Sequence, residues 1–228
     1  MNELEDFNFN EDFFELEDLD FNDNSEFRIN KPKLHKNRKE TQIKFHNAKK
    51  LVKEIDFSEN ERFDFLINGT FIFRDFIEAL LVEKNIKAKR MVISTLSMSQ
   101  ENIDSLRTLL EKNYIDELNI IVSDYFFSHE RNFLIKYAYE QLDIDNKFQL
   151  SVSRTHTKIC YFETMGGKKI VMHGSANLRS SDNIEQFTLE INDKLFDFYN
   201  TFFSEIIETY KTINKSVRNS QINKMFNK

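Results

Sequence analysis

Apolar and polar residues follow two different periods along this chain. Runs typical of strands cover 64–70, 89–97, 118–125, 148–153, 155–162 and 169–173. Spacing typical of amphipathic helices covers 73–84, 100–113 and 130–141. Strands separated by helical segments are typical of layered α/β domains. The pattern therefore predicts an α/β fold with a mixed, mostly parallel sheet flanked by helices.

Two more helical segments lie outside this alternating region. Basic residues share one face of a helix predicted from about residue 41 to residue 55. A phenylalanine stripe that includes Phe196 and Phe203 predicts a core or dimer helix further along the chain. With the charge distribution, these segments predict four parts: an acidic, Phe-rich tail at 1–30, a basic linker and helix at 31–58, the main domain at 59–210, and a basic C-terminal tail at 211–228.

The acidic tail differs in composition from the rest of the chain. Residues 1–26 contain eleven Asp and Glu and no Lys or Arg, with Phe interleaved among the acids. Because the whole chain has a net charge of −6, the remaining residues have a net charge of +5. Repulsion between like charges predicts disorder for such a tail on its own. Three roles are open: a solubilising tail, a peptide that docks on a protein partner, or one that folds back onto its own active-site groove.

Residues 28–53 reverse the charge, with ten Lys and Arg against one Glu. One interpretation is a solvated helix face. The other is contact with a phosphate backbone, which would depend on salt and be insensitive to sequence. The second interpretation assigns nucleic-acid binding to six residues: Lys36, Arg38, Lys39, Lys49, Lys50 and Lys53.

Glycine is rare in the chain and concentrated in one stretch. An average composition would give about 16 glycines, whereas this chain has four, and Gly166, Gly167 and Gly174 all lie within 156–185. A sequence this poor in glycine uses it where the backbone needs a positive φ or approaches a ligand closely. The same stretch contains a His and a Lys two positions apart, a Ser, two Asn and a Glu.

The polar residues of this stretch suit a phosphate group. His156 and Lys158 lie on one predicted strand, where residues i and i+2 face the same side. The returning strand ends at Gly174, and Ser175 and Asn177 follow immediately. An ammonium and an amide can bind phosphate oxygens, while an imidazole can attack phosphorus or move a proton.

This stretch resembles the signature of the phospholipase D superfamily. That signature is His-x-Lys, four residues, Asp, a short spacer, Gly-Ser-x-Asn and then Asn-x-Glu. The corresponding residues are His156-Thr157-Lys158, Glu163, Gly174-Ser175-Ala176-Asn177 and Asn183-Ile184-Glu185. The resemblance covers roughly 60–195 and implies the fold of that superfamily, which agrees with the alternating strands and helices.

The resemblance also implies a catalytic role for each residue. His156 would be the nucleophile that forms a phosphohistidine, Lys158 and Asn177 would hold the phosphoryl oxygens, and Ser175 and Glu185 would orient the imidazole. No metal or other cofactor is implied. The family's active site needs two such motifs, and this chain has one. A working site therefore implies a homodimer with a two-fold axis.

Two features depart from the family's pattern. Glu163 stands where the family has Asp, and ten residues separate Glu163 from Gly174, more than is usual in the family. A longer hairpin around the glycine turn would absorb the extra residues at little entropic cost. Glu163, Gly174 and Asn183 are expected to support the site.

The remaining polar candidates indicate no second site. His129 and Glu130 lack a second cluster at metal-ligand spacing and are interpreted as a helix start. The single cysteine, Cys160, excludes a disulfide framework and is expected in the core. An acidic beginning unlike a signal peptide, and no run of 18 apolar residues, predict a cytoplasmic protein without a membrane segment.

Three functions remain open from the sequence. The first is a metal-independent phosphodiesterase, a nuclease or endonuclease that hydrolyses DNA or RNA, for which the basic segment is the support. The second is a nucleic-acid-binding or scaffold protein that keeps the fold without turnover, for which Glu163 and the long spacer are the support. The third is a lipid phosphodiesterase.

Overall fold

The computed structural model describes residues 33–36, 43–44, 48–57, 61–67, 73–179 and 183–227. Its strands are β1 (Lys33–Lys36), β2 (Ile43–Lys44), β3 (Arg62–Ile67), β4 (Ala88–Thr95), β5 (Leu118–Ser123), β6 (Phe148–Ser153), β7 (Lys158–Thr164), β8 (Lys169–Gly174) and β9 (Glu185–Ile191). Its α-helices are α1 (Ala48–Lys53), α2 (Phe73–Glu83), α3 (Gln100–Glu111), α4 (Asp124–Glu130), α5 (Lys136–Leu142), α6 (Asp193–Tyr210) and α7 (Arg218–Phe226). A π-helical turn, Arg131–Ile135, joins α4 to α5, and a 3₁₀ turn, Lys215–Val217, precedes α7.

Several predictions from the sequence fall beyond this description. The acidic tail at 1–30, Arg38 and Lys39 lie outside the described residues. Lys36 belongs to β1, of which only the backbone is described.

The nine described strands form one sheet in the order β2-β1-β3-β9-β8-β7-β4-β5-β6. The prediction of an α/β sheet flanked by helices is confirmed, but the expectation that it is mostly parallel is wrong. Only β4–β5 and β5–β6 are parallel among the described strand pairs, and the other six pairs are antiparallel. Parallel neighbours need a crossover such as α3, whereas a tight turn such as that between β7 and β8 produces an antiparallel pair. The sequence pattern also did not predict β1, β2 or β9. The helix predicted from about residue 41 begins only at Ala48, because Ile43 and Lys44 belong to β2.

Helices cover both faces of the sheet, and the strands alternate accordingly. Cys160 and Phe162 of β7 join the larger core, which includes apolar residues of α1, α2, α3 and α5. Ile159 and Tyr161 point the other way and pack with α6. This period of two is the strand geometry that places neighbouring residues on opposite faces. Burial raises the pKa of the Cys160 thiol, and the prediction that Cys160 lies in the core is confirmed.

Stacked phenylalanines hold the antiparallel part of the sheet against α2. The rings of Phe65 on β3 and Phe187 on β9 stack with centroids 4.4 Å apart. Phe73 and Phe76 of α2 approach Phe187 at 5.0 and 4.9 Å. Aromatic pairs of this kind bury large areas in preferred geometries. They fix β9, and with it the end of the motif stretch, in the middle of the sheet.

A buried arginine anchors the last helix. The Arg218 guanidinium is 8% exposed and donates to the Asp143 carboxylate, the Asn146 side chain and the Phe148 carbonyl. Ile222 of the same helix packs on the larger core. Because removing one member of a buried ion pair leaves an unpaired charge, this contact fixes α7 beside β6. The segment predicted as a basic tail at 211–228 contains this helix.

Gly174 occupies the closest approach between β8 and β9. A Cβ atom at this position would lie 2.3 Å from the Gln186 carbonyl oxygen and 2.6 Å from the Phe187 Cα atom. Both contacts are with backbone, which cannot move aside cheaply. Only glycine therefore fits, and the close approach is to the neighbouring strand.

Gly174→Ala should accordingly lower the free energy of unfolding, by roughly 1–3 kcal/mol, as overpacking does elsewhere. Urea denaturation measures this effect. Gly166→Ala is the matched control, because a Cβ there would have Thr164 Oγ1 as its nearest neighbour at 3.8 Å. Equal stability of the two variants would contradict the steric account.

Candidate active site

The motif residues gather at one edge of the sheet. The parallel strands β4, β5 and β6 end there, β7 begins there, and Ser175 follows the end of β8. In open α/β sheets the crevice beyond the carboxyl ends of the parallel strands is the usual ligand site. The sheet topology therefore brings together residues that are separate in sequence.

His156 lies in the loop just before β7, and not on the strand predicted at 155–162. Its side chain is exposed, and its carbonyl oxygen accepts a hydrogen bond from Lys158 Nζ at 2.9 Å. Lys158 is the first residue of β7. This contact holds the lysine side chain across the loop that contains the histidine.

Thr157 ties the loop to the body of the protein. Its hydroxyl lies 2.7 Å from the Ser94 hydroxyl and 2.7 Å from the Thr155 hydroxyl, and its N–H donates to Thr155 at 3.2 Å. Ser94 is near the end of β4 and 2% exposed. Thr157 is thus held by hydroxyls of its neighbours, while the His156 side chain beside it is exposed.

The register between strands brings the second half of the motif to the first. Lys158 of β7 is paired with Gly174 of β8, and Gly174 is paired with Phe187 of β9. Ser175 follows, and its N–H donates to the Gln186 carbonyl at 2.8 Å. The histidine–lysine pair and the serine segment are therefore neighbours across one hydrogen-bonded ladder.

Ser175 and Glu185 form a hydrogen-bonded unit. The Ser175 hydroxyl donates to the Glu185 carboxylate and accepts from the Gln186 N–H at 3.0 Å. The structure thus gives Glu185 the serine as its hydrogen-bond partner, where the resemblance implied an imidazole. The serine and the carboxylate lie next to each other at the end of β8 and the start of β9.

Asn177 is oriented by the end of β4. Its side-chain oxygen accepts a hydrogen bond from the Leu96 N–H at 3.3 Å, and its neighbours Ala176 and Leu178 are buried. With the oxygen engaged, the amide nitrogen still has two N–H donors. Such donors suit a phosphate oxygen, as the resemblance implied. Asn183 is exposed and directly follows the undescribed residues 180–182.

Glu163 does not join the other motif residues. Its carboxylate lies 2.7 Å from Lys89 Nζ, near the far end of β7. Glu163 is five positions after Lys158 on the strand, a length of about 16 Å, and an odd spacing directs the two side chains to opposite faces. The long spacer, residues 164–173, forms the turn and most of β8 in a hairpin whose strands pair from Lys158 to Glu163. Glu163 and the turn of this hairpin thus lie at the end away from His156.

The predicted lysines of the basic helix lie at the far end as well. Lys49 of α1 pairs with Glu83 at 3.4 Å, and the Lys53 carbonyl accepts from Lys84 at 3.3 Å. Glu83 is the last residue of α2, whereas Arg74, at the start of α2, lines a cavity with Arg179 of the motif segment. Lys50 belongs to the same short helix α1. These lysines therefore form a surface separate from the motif residues.

Cationic side chains lie near the motif residues. The Ser99 hydroxyl and the positive charges of Arg74 and Arg179 lower the pKa of the Glu101 carboxyl, with the hydrogen bond as the largest cause. Arg154 precedes the motif by two residues, and its side chain is 93% exposed. Arg154 is thus two positions before His156, and Arg179 is two positions after Asn177, so guanidinium groups that could contact an anionic ligand lie next to the motif in the chain.

Other residues that surround His156 were not predicted from the sequence. A cavity beside the histidine is lined by Asp124, Tyr125, Ser128, Arg154 and Thr155. Asp124 and Tyr125 open α4 directly after β5. The sequence feature that could have indicated these two residues is their position directly after a predicted strand, because ligands bind at that edge of a parallel sheet.

The described residues show no other recognisable centre. No group of three or more His, Cys, Asp or Glu placed to share a metal ion occurs within them. His129, expected at a helix start, lies in the last turn of α4, with Nδ1 2.8 Å from the Tyr125 carbonyl. In the part of the chain that the structure describes, no helix is both long and apolar enough to cross a membrane.

Several solved structures are similar to this chain in overall fold. The phosphatidylserine synthase of Haemophilus influenzae Rd KW20 has a TM-score of 0.51 and 14% identity, over 71% of this chain and 42% of that chain. Nuc of Salmonella typhimurium, a phospholipase D family member, has a TM-score of 0.43 and 13% identity, over 54% of this chain and 81% of that chain. NucT from Helicobacter pylori has a TM-score of 0.40 and 13% identity, over 54% and 82%. No protein-family model and no curated protein matches the sequence.

The chain has the same kind of fold as the synthase, with a mixed sheet flanked by helices of the kind that the motif residues predicted. This similarity is one of fold alone. At 14% identity it does not extend to substrate or mechanism.

Ser175→Ala should lower the free energy of unfolding by about 1–2 kcal/mol, because the Glu185 carboxylate and the Gln186 N–H both lose their hydroxyl partner. Urea denaturation checks this value. Ser220→Ala, the same change on an exposed position of α7, should be neutral or slightly stabilising, since alanine favours helices. A Ser175→Ala variant as stable as the control would show that the hydroxyl does not organise this corner.

Proposed function

We propose that this protein is a metal-independent phosphodiesterase of the phospholipase D-like class, a nuclease that hydrolyses DNA or RNA. The main support is the register that pairs Lys158 with Gly174. It sets Lys158 beside Ser175 at the carboxyl edge of the parallel strands, and His156 precedes this lysine by two residues. An imidazole, an ammonium and a hydroxyl held this way can bind and attack a phosphodiester.

The proposed reaction proceeds in two displacements. The His156 imidazole attacks phosphorus, so that a P–N bond forms and the P–O bond to one strand end breaks. Lys158 and the Asn177 amide bind the non-bridging oxygens. A second imidazolium gives its proton to the leaving oxygen, then accepts a proton from the water that attacks phosphorus and breaks the P–N bond.

The second imidazole must come from another copy of the chain. The sequence has five histidines and a single His-x-Lys followed by Gly-Ser-x-Asn. We therefore propose a homodimer in which two sites of this kind face each other across a two-fold axis. Such a dimer supplies one nucleophile and one general acid to each phosphodiester.

Charge supports nucleic acid as the substrate class. Residues 27–228 have a net charge of +5, and Arg154 and Arg179 are exposed close to the motif residues. Exposed cations close to a phosphate site suit a polymer with a phosphate at every step. A cytoplasmic location, and docking of the acidic tail on a protein partner or on this groove, belong to the same proposal.

A nucleic-acid-binding or scaffold protein without turnover is the second candidate. The observation that favours it is the Ser175 hydrogen bond to Glu185, because that carboxylate is then engaged elsewhere than on the imidazole. Both candidates predict binding, and only the first predicts hydrolysis.

Cleavage of mixed single- and double-stranded DNA and RNA in excess EDTA separates the two candidates. Wild type should cut, and His156→Ala should lose at least about a thousandfold in rate, as loss of a nucleophile does in other enzymes. His173→Gln is the control, because His173 lies 3.3 Å from Glu190 and belongs to the β8–β9 pairing. Hydrolysis by His156→Ala at the wild-type rate would refute the mechanism. Binding with a steep salt dependence and no cleavage would establish the second candidate.

A mixing experiment tests the shared site. Wild type and His156→Ala are co-refolded at varied ratios and assayed at constant total protein. If each site needs histidines from both copies, activity should fall with the square of the wild-type fraction. A linear fall would show that one chain is sufficient and would contradict the homodimeric site.

A further inference from the structure

An exposed aromatic ring stands beside the candidate nucleophile. Tyr125, in the first turn of α4, is 68% exposed and lines the same cavity as His156. Its ring lies on the His129 ring, with centroids 4.0 Å apart. His129 Nδ1 also contacts the Tyr125 carbonyl oxygen at 2.8 Å. One side of the tyrosine is thus supported, and the ring remains largely open to solvent.

An exposed cation lies next to this ring. The Arg154 side chain is 93% exposed, and its Nε is 3.3 Å from the Asp124 carboxylate. Asp124 directly precedes Tyr125, and all three residues line the cavity with His156. A surface ion pair of this kind contributes little to stability. The guanidinium can therefore exchange the carboxylate for a phosphate at small cost.

We propose that Tyr125 stacks on a nucleobase next to the phosphate attacked by His156, while Arg154 contacts the adjacent backbone phosphate. The substrate is then a single-stranded nucleic acid, or a single-stranded segment within a longer one. This inference rests on the proposed function and names the form of the substrate.

The lining of the cavity favours a base over an acyl chain. Apart from the tyrosine ring, the cavity is lined by Asp124, Ser128, Arg154, Thr155 and His156, all of which are polar or charged. An acyl chain could not hydrogen-bond to these polar and charged groups, and covering them without a partner costs free energy. A base needs one aromatic face and a nearby cation for its phosphate, and both are present.

The strand form follows from access to the ring. In a duplex the face of each base is covered by its neighbours in the stack, so a protein side chain cannot stack on it without unpairing. Bases of single strands can splay outward and stack on aromatic side chains. An exposed ring beside the scissile position therefore favours unpaired substrate.

Binding of oligonucleotides that contain 2-aminopurine tests this contact directly. All proteins have the His156→Ala change, so the strand stays intact and the result is independent of hydrolysis. Stacking on tyrosine should quench the fluorescence of 2-aminopurine when a single strand binds. Adding Tyr125→Ala should abolish that quenching and weaken binding about tenfold, as expected for loss of one stacked base.

Two variants serve as controls. Tyr125→Phe keeps the ring and should retain quenching and affinity. Phe133→Ala removes another aromatic side chain, which is 75% exposed and lies on the π-helical turn, outside the lining of the cavity. It should bind like the parent protein. Arg154→Ala should weaken binding and reduce its dependence on salt, while 2-aminopurine that does bind is still quenched.

An abasic substrate makes the test specific. A strand that lacks the base at the quenched position cannot stack on Tyr125. It should therefore bind Tyr125→Ala and the parent protein with equal affinity. The proposal would be overturned if Tyr125→Ala lost as much affinity for the abasic strand as for the intact strand. An equal loss of affinity for a matched duplex would also overturn it. Absence of cleavage by wild type would instead refute the proposed function and leave the stacking result standing.

Discussion

The pairing of β7 with β8 and of β8 with β9 is the constraint on which the candidate site depends. Lys158, Gly174 and Phe187 lie side by side across these three strands. That alignment is possible because Gly174 has no Cβ, since such an atom would lie 2.3 Å from the Gln186 carbonyl oxygen. A strand displaced here would separate Ser175 from Glu185 and both from the histidine loop. The pairing of the backbone strands thus decides which side chains of the candidate site lie close together.

Neutral and charged side chains contribute differently at this edge of the sheet. Hydroxyls of Ser94, Thr155 and Thr157 hold the loop that contains His156. A network of neutral hydroxyls fixes the position of this loop without adding charge beside the candidate site. The stacked phenylalanines around Phe187 fix β9 from the helical layer. The positive charge near this edge belongs to exposed side chains such as Arg154 and Arg179, which can contact a ligand directly.

The structure shows where the two departures from the family signature, Glu163 and the long spacer, lie. Glu163 is remote from His156 and binds Lys89, so its extra methylene changes a surface ion pair at the other end of β7. The long spacer forms strand and turn, and Gly167 in that turn has a φ of +83°, which glycine adopts without strain. Glu163 and the turn lie at the opposite end of the hairpin from the motif residues, and β8 runs back from the turn to Gly174. Whether the candidate site is active therefore depends on five residues: His156, Lys158, Ser175, Asn177 and Glu185.

The sequence by itself determined the motif and most of the strands and helices, because these depend on short-range spacing. The order of His156, Lys158, Gly174, Ser175 and Asn177 indicated the superfamily fold, and the rarity of glycine indicated where the backbone is constrained. Tertiary structure alone decided strand direction, the place of β9, and which distant residues surround His156. Tyr125 and Arg154 are 29 positions apart in the sequence, and only parallel pairing of β5 with β6 brings them to one cavity. Local patterns cannot encode such contacts, since the same alternation of residues fits parallel and antiparallel neighbours.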